Sequence, residues 1–381
     1  MARNGILLAI LAAALLLRLQ LAAAAPYMHD ESQIAIPLAE SLSFTPGQLN
    51  LPLRGLHHPA LPSYVINLSG SVFGRTALGY RALSVIGGLL AIILIFRLTD
   101  AWYGRPAALW ASALLAFNEY HIGVSAYATA KGPHLLLIAT AIYAFSTFLR
   151  TDRVRSLYIS AVAVALAFYC KEHSVLVLAA FGLTLLQPRY RHWLRSTHVL
   201  GACALFAILI VPDVMWNLRA SVADPNATYR DHLSRVGGLG LTPDPFLFFA
   251  RGAIQWVMVA ITGEPLPDSV VEYPSMNAGF GVLLLGAVVA STLRAGRQDR
   301  IRGFLLILFW LVLAVFVLIR PGQPTKGMDP VTWYWADVVL FPAVILTGAR
   351  LAHITGRWRL ALWSAAAAAA VYATASIVRL S

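Results

Sequence analysis

The sequence predicts an all-α integral membrane protein with about 11 transmembrane helices, and three observations predict this fold class. Hydrophobic residues make up 59% of the 381 residues, charged residues make up only 12%, and the mean hydropathy is +0.70. Apolar runs close to the width of a bilayer recur along the whole chain. Arginines concentrate between alternate runs, which is typical of cytoplasmic loops.

The charge balance limits the classes of partner. A net charge of +12 would suggest nucleic acid in a soluble chain. In a membrane protein, basic residues instead fix topology and meet anionic lipid headgroups or phosphates, so we expect membrane lipids and no nucleic acid as partners. The two cysteines, Cys170 and Cys203, are too few for a disulfide scaffold or a zinc cluster.

The first apolar run, Ile6 to Ala25, has two interpretations. Arg3 before it and four alanines at its end resemble a cleaved signal peptide. Its length of about 20 residues and the internal Arg18 instead favour a retained helix that packs against others.

Apolar segments predict the remaining spans in order. With the first helix, they are residues 6–25, 81–98, 106–121, 133–150, 157–170, 174–188, 198–213, 278–293, 303–320, 336–352 and 360–377. The positive-inside rule then puts the N-terminus in the cytoplasm. Sixteen of the 29 basic residues fall on short cytoplasmic segments, namely Arg3, Arg97, Arg105, Arg150, Arg153, Arg155, Arg189, Arg191, Arg195, Arg294, Arg297, Arg300, Arg302, Arg350, Arg357 and Arg359.

Two apolar stretches do not fit this alternation. Residues 59–73 contain Pro62 and four serine or asparagine side chains. Residues 246–262 are flanked by prolines and contain Arg251. We expect both to lie in the outer interface or to re-enter it. The alternative is a protein of thirteen helices in which both stretches are true spans.

These segments give a single polytopic membrane domain, residues 1–381. Its first half, 1–190, carries a large first outer loop over 26–80 with interfacial helices. Its second half, 191–381, carries a second large outer loop over 214–277. Because the chain stops shortly after the last predicted span, we expect no soluble C-terminal domain.

Asp30 and Glu31 are the central candidates for chemistry, because they follow the first membrane helix directly on the predicted outer side. Ionisable groups at membrane depth indicate function by default. An outward carboxylate with basic groups nearby suits transfer from a lipid-linked phosphate donor. The carboxylate would take the proton from an acceptor hydroxyl, and cations would neutralise the departing phosphate.

The other outer segments supply the remaining candidates. They include the basic residues Arg81, Lys131 and Lys171, each of which alone is more often a membrane anchor than a ligand. Tyr127 and Glu119 lie in the second outer loop. His57 and His58 lie in the first, where adjacent histidines more often donate hydrogen bonds than hold a metal.

Several motifs, in this order, resemble the protein O-mannosyltransferase and aminoarabinose transferase superfamily, whose members use polyprenyl-phosphate sugars. The matching residues are Arg18, Asp30-Glu31, His58-Pro59-Ala60-Leu61, Arg81-Ala82-Leu83-Ser84, Trp102-Tyr103-Gly104, Ser125-Ala126-Tyr127 to Lys131, Ala167-Phe168-Tyr169-Cys170-Lys171 and Trp333-Tyr334-Trp335 to Phe341-Pro342. The resemblance covers residues 6–190 best.

The resemblance implies a membrane glycosyltransferase of the C-type fold, placed in the inner or plasma membrane. It implies an inverting transfer to an extracytoplasmic acceptor, which is a lipid, a glycan or a protein, with Asp30 as the base. It also implies Arg81, Lys131 and Lys171 at the lipid phosphate, and His58 near the donor or a metal. A divalent cation could join Asp30, Glu31 and His58, although the second outer loop lacks the carboxylate that relatives often carry beside Lys131.

Two other functions stay open. A transporter or flippase of lipid-linked saccharides should show charges or broken helices near the bilayer midplane and a repeat between its halves. Here the charges lie at the outer helix ends and the halves show no symmetry, which favours the enzyme. A non-catalytic scaffold of the same fold is the third candidate.

Overall fold

The computed structural model describes residues 2–28, 30–55, 58–223, 278–293, 300–318 and 336–354, and these residues are almost entirely helical. The helices are α1 (Ala2–Ala24), α2 (Ile36–Ser41), α3 (Leu61–Phe73), α4 (Ala77–Tyr103), α5 (Arg105–Ala116), α6 (Glu119–Ala126), α7 (Lys131–Thr151), α8 (Val154–Phe168), α9 (Val175–Leu185), α10 (Thr197–Ala223), α11 (Ala278–Leu293), α12 (Arg300–Leu318) and α13 (Ala336–Leu351). A π-helical turn, Glu31–Ala35, precedes α2, and 3₁₀ turns span Glu172–Ser174 and Arg191–Arg195. Two short antiparallel strands, β1 (Arg54–Gly55) and β2 (His58–Pro59), precede α3.

Five of these helices are long and apolar enough to cross a membrane. They are Gly5–Ala24, Ala77–Tyr103, Lys131–Thr151, Thr197–Asn217 and Ile301–Leu318, and shorter apolar helices cover Val154–Phe168, Glu172–Leu185 and Gly281–Leu293. A multi-pass, all-α membrane fold is therefore confirmed, while the count of eleven stays a prediction. The predicted span 360–377, the stretch 246–262 and most of the loop 214–277 lie outside the described residues.

One predicted span was wrong, because the structure divides it. The span 106–121 is two helices, because the Asn118 side chain accepts a hydrogen bond from the backbone N–H of His121 (3.0 Å) and so starts α6 anew. The outer loop predicted over 214–277 stays a prediction, and α10 continues through Pro212 to Ala223.

The stretch 59–73, predicted to lie in the membrane interface, forms the helix α3. α3 has 13 residues, so it extends about 20 Å and is too short for a bilayer core of about 30 Å. Leu68, Val72 and Phe73 on α3 are exposed, while its opposite face packs on α4. This pattern is typical of a helix lying at the membrane surface.

Helix α4 lies at the centre of the first half, since it packs against α1, α3, α5, α6 and α7. α13 packs against α5, α11 and α12, and α8 packs against α7 and α10. The hydrophobic core joins these helices, with Phe145, Phe181 and Phe304 in mutual ring contact. The last residues of α1, α6 and α8 and the first residues of α4, α7 and α13 meet on one side, where the candidate site lies.

Candidate active site

Glu31 and Arg81 form a buried ion pair at the start of α4. Arg81 Nε donates to Glu31 Oε1 (2.8 Å), and Nη2 donates to Oε2 (2.6 Å), with both side chains fully buried. Glu31 also accepts hydrogen bonds from the backbone N–H groups of Met28 (2.9 Å) and Ala128 (2.6 Å). One carboxylate thus joins the end of α1, the start of α4 and the segment between α6 and α7.

The predicted role of Arg81 in binding the donor phosphate stays a prediction, but its guanidinium is held by protein groups. Its remaining N–H groups donate to the backbone oxygens of Ala22, Ala25 and Pro26, at 2.8–2.9 Å. A guanidinium has five N–H groups, and all five have protein acceptors here. The Glu31 carboxylate in turn accepts four hydrogen bonds, two from Arg81 and two from backbone N–H groups.

Asp30 lies in a different environment from its neighbour Glu31. It is half-buried at the start of the π-helical turn, and its carboxylate acts electrostatically on the ammonium groups of both Lys131 and Lys171. The structure therefore brings Asp30 near Lys131, the first residue of α7, and Lys171, three residues after the end of α8. These three predicted residues come from segments about 100 and 40 residues apart, so their convergence is a property of the fold.

The side chains of Lys131 and Lys171 are both buried. Lys131 is 3% exposed, its Nζ lies 3.4 Å from the Tyr120 hydroxyl oxygen, and it lies 5.2 Å from the centroid of the Tyr120 ring. Lys171 is 7% exposed. Burial lowers the pKa of the Lys171 ammonium below its usual value, while the charges of Glu172 and Asp30 oppose this shift. Two buried lysines thus lie within electrostatic range of one carboxylate.

The other predicted residues occupy separate positions around this cluster. Tyr127 stacks on the guanidinium of Arg81, with the Arg81 Cζ atom 5.0 Å from its ring centroid, and burial raises the pKa of its phenol. Glu119 is half-buried in the first turn of α6, where a negative charge complements the helix dipole. The backbone of His58 pairs with Gly55 in the β1–β2 ladder, whereas His57 and the side chain of His58 lie outside the described residues.

Sequence reasoning missed a second polar cluster directly beside the lysines. His134 Nδ1 contacts Asp337 Oδ2, and His134 Nε2 lies 2.7 Å from Ser174 Oγ. His173 Nε2 lies 3.6 Å from Asp337 Oδ1. The available signal was spacing, since His134 lies one helical turn after Lys131 and His173 lies two residues after Lys171.

A third network ties the first outer loop to the helices. Arg54 in β1 donates through Nε and Nη2 to the two carboxylate oxygens of Asp213 on α10, at 2.7 and 2.9 Å. Arg54 Nη2 also donates to Glu172 Oε1 (2.9 Å). Because Glu172 follows Lys171 directly, this arginine fixes the loop against the segment that carries one of the two cluster lysines.

Comparison with known proteins identifies the kind of fold. A family described as "Dolichyl-phosphate-mannose-protein mannosyltransferase" matches residues 57–216. No curated protein matches the chain.

Solved structures extend the match over most of the chain. ArnT from Cupriavidus metallidurans bound to undecaprenyl phosphate is 16% identical, with a TM-score of 0.65 over 92% of this chain and 61% of that chain. The same protein in the apo state gives a TM-score of 0.60 at 17% identity, over 96% of this chain and 62% of that chain. The Archaeoglobus fulgidus oligosaccharyltransferase in complex with Zn and sulfate gives 0.53 at 14% identity, over 97% and 52%.

The chain thus spans roughly three-fifths of the length of ArnT and about half of that of the oligosaccharyltransferase. At such identities the likeness concerns the fold. The chain is therefore a multi-pass membrane protein with the C-type fold of the polyprenyl-phosphate-sugar glycosyltransferases, as its resemblance to that superfamily predicts.

Proposed function

We propose that this protein is a glycosyltransferase that moves a sugar from a polyprenyl-phosphate donor to a hydroxyl acceptor on the extracytoplasmic side of the membrane, with inversion at the anomeric carbon. The observation that carries the proposal is the half-buried Asp30 carboxylate within electrostatic reach of two buried lysines. A base and an anion site are the two parts that this reaction requires. The bound undecaprenyl phosphate of ArnT, a protein of the same fold, supports the donor class.

The proposed residues divide the work as follows. Asp30 accepts the proton of the acceptor hydroxyl while the oxygen of that hydroxyl attacks the anomeric carbon of the donor sugar. The bond between that carbon and the phosphate oxygen breaks, and the lipid phosphate leaves with the bonding electrons. Lys131 and Lys171 neutralise the charge that develops on the leaving phosphate, and burial strengthens their interaction with it because little water screens it.

Glu31 and Arg81 serve this site by positioning it. Glu31 follows Asp30 directly and is bonded to the backbone N–H of Ala128, three residues before Lys131. The ion pair thereby fixes the spacing between the base and the first phosphate ligand. Catalysis depends on such spacing, because misplacement by about 1 Å can reduce a rate about a hundredfold.

Arg18, a charged residue within the membrane helix α1, does not favour the transporter. Arg18 is fully buried, but it donates to Ser125 Oγ (2.8 Å), Ala14 O (2.9 Å) and Ala116 O (3.2 Å) and contacts His121 Nδ1 (2.6 Å). These bonds join α1 to α5 and α6 through protein groups, which is what helix packing in a membrane requires. We assign this network to structure.

Turnover with a panel of donors tests the proposal. The purified protein is given polyprenyl phosphates that carry different sugars together with lipid, glycan and peptide acceptors, and free polyprenyl phosphate is measured. We expect release with at least one donor, dependent on an acceptor. Movement of intact donor between leaflets of a vesicle without release would instead establish the transporter, and binding with neither result would establish the scaffold.

A further inference from the structure

We propose that His134, His173 and Asp337 form a binding site for one divalent transition-metal ion of the zinc type. The three residues lie on α7, in the 3₁₀ turn after α8 and on α13, and one ligand atom from each lies within 4.8 Å of the others. Two imidazoles and one carboxylate are a ligand set that zinc and related ions use, with further positions left open. This site differs from the set of Asp30, Glu31 and His58 that the sequence suggested.

The direction of the hydrogen bonds around His134 is the first argument. The Ser174 hydroxyl donates its one proton to the backbone oxygen of Lys171 (2.7 Å), so it accepts from His134 Nε2 (2.7 Å). Nε2 therefore carries a proton, and in a neutral imidazole Nδ1 is then an acceptor. This acceptor faces Asp337 Oδ2, which is also an acceptor. Either a proton or, once the two side chains separate, a metal ion between these atoms satisfies both.

His173 supplies the second argument. Its Nε2 atom is buried, makes no hydrogen bond within the described part of the chain, and lies 3.6 Å from Asp337 Oδ1. The His134 and His173 rings lie 5.1 Å apart between centroids. Two ligands of one zinc ion are about 3.3 Å apart at ordinary bond lengths and tetrahedral angles, so small side-chain rotations would bring the three groups onto one ion.

The surroundings fit a metal-binding histidine in a third respect. Such histidines usually donate their other ring N–H to a fixed acceptor, which holds the ring in one tautomer and orientation. His134 does this through Ser174, which is in turn fixed by Lys171 O. A metal ion here would join α7, α13 and the turn after α8 directly beside Lys131 and Lys171, the two residues proposed to bind phosphate.

Metal binding can be measured without any assay of transfer. The full-length, tag-free protein is stripped with a chelator, equilibrated with Zn²⁺, freed of excess metal and analysed for its metal content. We expect about one Zn²⁺ per wild-type chain, less than a tenth of that in His173→Ala and in Asp337→Asn, and no change in His198→Ala, an exposed histidine elsewhere. X-ray absorption of the wild-type complex should count two imidazole ligands.

Folding of each variant is checked with a buried thiol. In a Cys203→Ser background, Cys170 is the remaining cysteine and is fully buried, so it should resist labelling in every folded variant. If a variant fails this check, the imidazole count of the wild-type complex decides the question. Absence of bound Zn²⁺ in the wild type, retention by both folded variants, or loss in His58→Ala alone would overturn the proposal.

Discussion

The carboxylate of Glu31 and the guanidinium of Arg81 form a fully buried ion pair, with Arg81 Nη2 2.6 Å from Glu31 Oε2. The pair joins the end of α1 to the segment between α6 and α7, because Arg81 donates to Ala25 O and Glu31 accepts from the backbone N–H of Ala128. Two adjacent acidic residues therefore have different roles. The carboxylate of Glu31 is occupied by its hydrogen bonds to Arg81 and to the backbone, whereas the carboxylate of Asp30 lies near the two lysines.

Replacing Glu31 by glutamine should destabilise the whole domain. The change leaves the Arg81 guanidinium buried without its counter-charge, which typically costs about 3–5 kcal/mol. We expect a lower thermal unfolding temperature in detergent, and Arg81→Ala should act similarly. Arg75→Ala, at an exposed position two residues before α4, is the matched control and should unfold as the wild type does. If Arg81→Ala instead unfolds as the wild type does but binds the donor more weakly, Arg81 binds the phosphate.

Lys131→Ala and Lys171→Ala should weaken binding of polyprenyl phosphate. A hydrogen bond from a charged group contributes about 1.5–3 kcal/mol, so each change should raise the dissociation constant about ten- to a hundredfold. Isothermal titration in nanodiscs measures this constant, with the exposed Arg153→Ala as the control. If affinity is unchanged while expression falls, the lysine in question only anchors its helix.

The contact between Arg54 and Asp213 should hold the first outer loop in place. Both side chains are buried, so removing either one leaves an unpaired charge and should cost about 3–5 kcal/mol. Replacing both, as in Arg54→Met with Asp213→Leu, should cost less than the sum of the single changes. A double-mutant cycle on unfolding temperature and on cleavage of the loop over residues 42–53 checks this. Additive effects would mean that the two residues act independently.

Gly132 should tolerate no side chain, because α4 and α7 approach closely there. A Cβ atom at Gly132 would lie 2.3 Å from Ser84 Oγ and 2.5 Å from Ser84 Cβ. Gly132→Ala should therefore lower stability and disturb the adjacent Lys131, and Ser84→Gly should restore both. Gly182→Ala in α9 is the control, since nothing lies within 4 Å of a Cβ atom added there. This change should add about 0.5–1 kcal/mol to the free energy of unfolding. Equal effects at the two glycines would argue against this packing.

The sequence was sufficient to predict an all-helical, multi-pass membrane fold. Apolar runs locate helices because a membrane interior requires them, and alternation then puts Asp30, Lys131 and Lys171 at ends on the same side. Helix ends were less predictable. The start of α6 depends on one hydrogen bond that the Asn118 side chain accepts from the backbone N–H of His121, and α10 continues past Pro212.

Partners distant in sequence could not be predicted. Asp213 is 159 residues from Arg54, and Asp337 is 203 residues from His134, so no local pattern joins them. The burial of charged side chains could not be predicted from the sequence either. Arg81 at a helix start reads as a surface anchor, yet the fold encloses it completely and gives each of its N–H groups an acceptor.

The most direct test of the account compares Asp30→Asn with Asp152→Asn. Asp152 is an exposed carboxylate in a left-handed conformation that asparagine also adopts readily, so its replacement controls for the loss of one charge. At saturating donor and acceptor, we predict that Asp30→Asn keeps its fold and its affinity for polyprenyl phosphate but releases product at least a hundredfold more slowly, as loss of a general base implies. Asp152→Asn should turn over as the wild type does. Equal release by both variants would contradict the assignment of Asp30 as the base.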